Sequence, residues 1–302
     1  MSEEAPQGWL DTREKGAVLG IRFVVWLCTA FGRAPARLFL SLLCVYYVLL
    51  HGRVRRTSME YLRRVRGKAT LGDAYRHVLT FAHCALDRFF LLKGPNDLFT
   101  LESHGTEHLA AARDARRGAI LLGAHLGSFE AMRAQSRNKR YTVNIVGYFR
   151  NAKMINAALA AVNPDATTRV VEIQPDGFDY ILTLKERVER GEFVAILADR
   201  TGLNARTAEV DFLGGRAVLP VGPYLLASAL KCPVFLTFGI FTEPDRYGLY
   251  CEPFADPLVI DRKDRDGSLR AWAARYAERV EHYCRLAPDN WFNFYDFWSP
   301  PK

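Results

Sequence analysis

A chain of 302 residues, 49% of them hydrophobic, carries enough apolar side chain to bury a substantial core, which excludes a disordered protein. Its net charge of +8 at pH 7 suits anionic lipid, an acidic carrier protein or nucleic acid, and charge alone does not choose among them. The six cysteines, Cys28, Cys44, Cys84, Cys232, Cys251 and Cys284, form no C-x-x-C pair and mostly sit in apolar runs, so they read as buried thiols and not as a disulfide framework or zinc site.

The first residues, Met1 to Glu4, are acidic and lack the positive n-region of a secretory signal peptide, which predicts a protein kept on the cytoplasmic side. Two apolar stretches follow, Ala17 to Phe31 and Pro35 to Leu50, each shorter than the roughly 20 residues a spanning helix needs. Gly32, Arg33 and Pro35 separate them, Arg22 interrupts the first and Arg37 starts the second, a pattern that predicts a pair of interfacial or re-entrant helices. From Arg53 to Lys68 run seven Lys or Arg opposed only by Glu60. Each basic group near an anionic surface contributes about 1 kcal/mol, so this block is expected to hold the chain to the inner leaflet, the alternative being a solvated helix face. The division expected is residues 1–68, apolar helices and a basic membrane-facing segment, and residues 69–302, a catalytic α/β domain.

Beyond residue 70, apolar runs at Ile120, Val143 to Val146, Arg169 to Ile173, Phe193 to Leu197 and Val234 to Phe241 alternate with helical segments such as Asp179 to Arg190 and Pro223 to Lys231. Connections long enough for crossover helices predict an α/β fold with a mostly parallel sheet flanked by helices, whose ligands gather at the carboxyl ends of the strands. His104 and His108 are four apart beside Glu102 and Glu107, but no clustered spacing calls for a metal. Lys263 to Asp266 reads as the long surface loop.

The stretch Gly118 to Glu130, GAILLGAHLGSFE, holds the most chemistry. Ile120, Leu121 and Leu122 form a buried strand, Gly123 and Gly127 bracket the turn after it, and His125 lies inside that turn. On one continuous helix, residues five apart point about 140° away from each other. His125 must therefore lie on the turn if Glu130, in the first helical turns, is to reach its ring. A carboxylate on one imidazole nitrogen fixes the tautomer and leaves the other free to take a proton; taken alone, the pair reads more readily as a capping histidine and a solvated glutamate. Ser128 lies outside any G-x-S-x-G elbow and reads as a helix-start residue.

Asp199 and Arg200 end the Phe193 strand and could hold an acceptor headgroup, bind phosphate or brace each other. Arg150, after a strand, and Arg216, in the Gly214-Gly215-Arg216 turn, are further candidates for anionic groups. Backbone N–H groups in such a turn could stabilise an oxyanion, although turn formation explains the glycines equally well. Trp291, Phe292, Phe294, Tyr295, Phe297 and Trp298 could stack bases, line a fatty-acyl cleft or pack the core. A nucleic-acid groove would interleave Lys and Arg, whereas Asp289 and Asp296 stand there.

His125 and Glu130 match the His-x4-Asp/Glu motif that the late acyltransferases of lipid A biosynthesis, like the wider glycerolipid acyltransferases, carry just after a strand. The match continues through Tyr148-Phe149-Arg150-Asn151, Phe193 to Asp199 (FVAILAD), Asp211 to Pro223 (DFLGGRAVLPVGP) and Pro288, Trp291, Phe292 and Trp298, in the family's order. The chain resembles that family, departing from it where Arg200 follows Asp199 in place of the usual Gln. The resemblance implies a glycerolipid-acyltransferase-like fold and transfer of a fatty acyl group from an acyl thioester, usually on acyl carrier protein, to a hydroxyl of a lipid acceptor. It implies no metal or other cofactor, with His125 as base and Glu130 orienting it. The short split apolar pair and the Asp-Arg variant look more like the acyltransferases of aryl-polyene pigment pathways than the lipid A enzymes. Two other functions stand beside it. One is a coenzyme A-dependent lysophospholipid acyltransferase, which shares the dyad but normally lacks the later blocks. The other is a non-catalytic lipid-binding protein on the same fold, against which intact His125 and Glu130 argue.

Overall fold

The two apolar stretches fold as α1 (Ala17–Phe31) and α2 (Arg33–Leu50), broken at Gly32, whose φ of +81° lets the chain reverse. The computed structural model describes residues 17–92, 97–138, 141–147, 169–172, 179–202 and 205–298. One stripe of the pair packs inward. Cys28 and Ala36 meet Leu86, Phe89 and Phe90, while Cys44 and Val48 meet Ala74 and Val78, all from α4 (Leu71–Leu92). The opposite stripe leaves Trp26, Phe31, Leu38, Leu42, Tyr46 and Leu50 exposed. Among the described residues α2 alone is long and apolar enough to cross a membrane, with a mean hydropathy of 1.4 and 17% of its length buried. The arginines at its start turn inward: Arg33 binds Asp87 at 2.7 Å, and Arg37 binds Glu243.

The basic block folds as α3 (Gly52–Arg66), whose Tyr61 and Leu62 are fully buried. Sequence offers only Glu60 as its counter-charge; the fold supplies more. Arg53 and Arg56 pair with Asp296, Arg64 with Glu60, and Arg66 with Asp73 and Asp289. Much of the block thus fastens α3 to the C-terminal segment.

The remaining elements are β1 (Thr100–His104), α5 (Glu107–Asp114), β2 (Ala119–Gly123), α6 (Phe129–Asn138), β3 (Val143–Gly147), β4 (Val170–Glu172), α7 (Asp179–Glu189), β5 (Phe193–Leu197), β6 (Thr207–Phe212), β7 (Gly215–Pro220), α8 (Gly222–Leu230), β8 (Val234–Thr242), β9 (Arg246–Ala255) and α9 (Arg265–Leu286). A seven-stranded sheet runs β1-β9-β8-β2-β5-β3-β4, and β6 and β7 form a separate hairpin. From β4 to β8 neighbouring strands are parallel; β9 turns back antiparallel to β8, and β1 lies parallel to β9. The sheet is mostly parallel and helix-flanked, as the alternating runs predict. β2 and β5 are apolar throughout because helices cover both faces. On one face Tyr224 of α8 and Tyr276, Ala277 and Val280 of α9 meet Ile120, Leu122, Val194 and Ile196. On the other, Leu109 and Ala112 of α5 meet Leu121, Phe193, Ala195 and Phe235. An apolar cavity lies on this second face, lined by Leu109, Leu121, Phe129, Met132, Phe193 and Leu249 among others.

Candidate active site

β2 ends at Gly123 beside Leu197 of β5, so the residues just past both strand ends lie side by side. The turn holding His125 closes at Gly127, which takes φ +69°, and a Cβ there would sit 1.9 Å from the Gly239 carbonyl oxygen. Ser128 N donates to that carbonyl at 2.7 Å, Gly127 N donates to Asn290 O at 2.8 Å, and Phe292 N donates to His125 O at 2.8 Å. The Ser128 hydroxyl accepts from Ala131 N at 3.2 Å and starts α6, the role its position predicts.

Beyond β5, Asp199 meets the imidazole. Its Oδ1 lies 2.8 Å from His125 Nδ1, and its Oδ2 accepts from His125 N at 2.8 Å and from Trp291 Nε1 at 3.1 Å. Burial raises the Asp199 pKa, but the His125 ring and its bonds, together with Arg200, outweigh it and bring the carboxyl down to about 2. Burial pushes the imidazole below 6.5, Asp199 opposes this, and Arg200 adds to it. An ionised carboxylate only accepts, so Nδ1 carries the proton and Nε2 is left with the lone pair. The Asp199 side chain is 3% exposed and that of His125 31%: the carboxylate is dry and the imidazole reaches solvent.

The sequence model of bacterial lipid A biosynthesis acyltransferases matches residues 99–299. The chain belongs to that family. No curated protein sequence matches the chain significantly. As a bacterial lipid A biosynthesis acyltransferase by family it is an acyltransferase of lipid biosynthesis, with an acyl donor and a lipid acceptor. The family match takes in His125, Asp199 and the segment around Trp291, and begins after α4.

Within this acyltransferase, the carboxylate at the imidazole is not the one the motif spacing predicts. Glu130 is buried in the first turn of α6, where its Oε1 accepts from Arg88 of α4 at 3.1 Å and its Oε2 stands 4.0 Å from Arg133. The reason is the docking of α6: it starts at Phe129 and turns its first residues toward α4. Arg200 does not lead outward to a headgroup. Its guanidinium donates to Phe292 O at 2.6 Å and lies 5.8 Å from the Tyr295 ring centroid. Arg216 is highly exposed and pairs with Glu209 across the β6–β7 hairpin at 3.3 Å. Arg150 lies outside the described residues. His104 stacks on Tyr250 and His108 on Phe235, and among the described residues no group of three or more His, Cys, Asp or Glu is placed to hold a metal. Sequence reading treats Trp291 as one ring in an aromatic run; the structure gives it a bond to Asp199.

Proposed function

We propose that the protein transfers a fatty acyl group from an acyl carrier protein thioester to a hydroxyl of a lipid or lipid-like acceptor, with His125 as general base and Asp199 as the carboxylate that orients it. The observation that carries this is the 2.8 Å bond between Asp199 Oδ1 and His125 Nδ1. The acceptor hydroxyl gives its proton to Nε2 as its oxygen attacks the thioester carbonyl. The tetrahedral intermediate then expels the thiolate, which leaves with the proton held by His125. Asp199 stabilises the imidazolium in between. Glu130, in this reading, fastens α6 to α4 through Arg88. Arg200 contributes positive charge at the rim, while Arg216, which is exposed, and Arg150, which lies in a family block, are assigned to the anionic groups of the substrates.

The apolar cavity whose wall includes Phe129 suits a hydrocarbon chain. The exposed stripe of α1 and α2 suits the cytoplasmic face of the inner membrane, from which a lipid acceptor is reached. The test compares purified wild type with Asp199→Asn and Glu130→Gln, supplied with acyl carrier protein and coenzyme A thioesters of one chain length. A much larger loss for Asp199→Asn supports the assignment, and a larger loss for Glu130→Gln rejects it. Mass spectrometry of lipid A and pigment fractions from cells with and without the gene names the acceptor, an aryl-polyene product placing the protein in that branch.

A further inference from the structure

Trp291 is 1% exposed, and its ring packs edge-on against Tyr61, Phe212 and Phe297 at 5.0, 5.2 and 4.9 Å. Packing would be served by any large ring. Two directional bonds go further. The indole N–H points at Asp199 Oδ2, and the Trp291 carbonyl lies 2.8 Å from Nε2 of His77, which is itself fully buried. A carbonyl only accepts, so His77 Nε2 carries hydrogen. Burial brings the His77 pKa down to about 4, so the ring is neutral and its Nδ1 accepts from the Ser58 hydroxyl at 2.8 Å. A continuous chain of bonds therefore runs from Ser58 on α3 through His77 on α4 and Trp291 to Asp199 and His125.

We infer that Trp291 is a positioning residue for the His125–Asp199 pair, its indole N–H fixing one carboxylate oxygen so that the other faces the imidazole. This rests on the reading of His125 as the acyl-transfer base. The bond also sets basicity. A donor on Oδ2 draws charge away from the imidazole, so its removal makes the carboxylate a stronger partner for the imidazolium and raises the proton affinity of His125. Other groups facing the pair are Arg200, Tyr224 of α8, Tyr276 and Cys284 of α9, the thiol raised by burial and so neutral, and Tyr295. Burial holds all three phenols well above their usual range, so they stay neutral, and Arg200 is the charged side chain among them.

The test uses the full chain with Trp291→Phe, which keeps a ring and removes the N–H, and Asp199→Asn, singly and together. Where phenylalanine leaves a void that unfolds the protein, the sulfur isostere of tryptophan at 291 keeps the volume and still lacks the donor. The expected result is a kcat loss of about 10- to 100-fold with unchanged acceptor KM in the wild-type background. In the Asp199→Asn background the further loss should be under about 2-fold. Imidazole carbon NMR should show the His125 titration moving to higher pH in Trp291→Phe, and this readout needs no substrate. Equal losses in both backgrounds with an unmoved His125 titration would reduce Trp291 to a packing residue and overturn the inference. Retained acyl transfer by His125→Ala, with the titration still shifted by Trp291→Phe, would instead reject the base assignment and leave the positioning role standing.

Discussion

Asp199 receives three N–H groups on its two oxygens, from the His125 ring, the His125 backbone and Trp291. That number of donors to one buried carboxylate ties the protonation states of the site to pH. As the proposed base, His125 would work only as the neutral ring, and burial holds its pKa below 6.5, so the acid limb of kcat/KM should lie below pH 6.5. A limb above 6.5 in the wild type would contradict that placement. His125→Ala should lower kcat by about 10² to 10⁴ fold, Asp199→Asn should approach it, and Glu130→Gln should fall well short, all read from release of the donor thiol by purified protein. His77 adds a stability effect. Its pKa is depressed in the fold to about 4 from 6.5, so its contribution is complete above pH 6.5 and is lost as pH falls toward 4, at about 1.4 kcal/mol per pH unit. Denaturant titrations of wild type and His77→Gln should differ in pH slope across that window, and parallel curves would show that His77 does not titrate this way. The histidine was legible in the sequence because glycines bracket it. Its partner was not: five-residue spacing shows that Glu130 could reach the ring, but which way the first turn of α6 faces depends on α4. Asp199, 74 residues away, arrives only through the β2–β5 register.

Elements whose character is set by local pattern read well. β2 and β5 are continuous apolar runs, β3 and β8 are apolar runs broken at Asn144 and Thr237, and the two apolar helices are ended by Gly32 and His51. The antiparallel edge and the β6–β7 hairpin carry no such run, since a strand such as Thr207–Phe212 buries every second residue and leaves a weak signal in a short window. For α3 the local charge count is incomplete: Asp289 and Asp296, which answer Arg53, Arg56 and Arg66, are over two hundred positions away. The exposed apolar stripe therefore becomes the main expected membrane contact. Leu38→Asp with Leu42→Asp, both 67% exposed, should release the protein from anionic vesicles with little change in melting temperature, whereas Ala36→Asp, fully buried, should unfold it. Co-sedimentation unchanged by the Leu38 and Leu42 pair would move membrane contact elsewhere. On the far face of the sheet, Met132→Trp narrows the apolar cavity. It should shorten the acyl chain accepted, seen by product mass spectrometry, at a cost of about 1 to 3 kcal/mol in stability.

The whole molecule is basic, and an acidic helical carrier protein should reach it faster at low ionic strength. For one acyl chain, kcat/KM with the carrier-bound donor should fall more steeply with salt than with coenzyme A; matching slopes and efficiencies would favour coenzyme A as the natural carrier. The C-terminal segment has a bearing on time as well as on geometry. Asn290, Trp291 and Phe292 hold the turn and carboxylate of a site whose His125 and Asp199 leave the ribosome long before them, while the apolar helices emerge earlier still. Until they are made, a nascent chain has His125 and Asp199 side by side through the β2–β5 register but lacks the Asn290 carbonyl and the Trp291 and Phe292 N–H groups that fix the turn and the carboxylate. A chain released before them would therefore carry the exposed apolar stripe of α1 and α2 together with an unbraced turn and carboxylate.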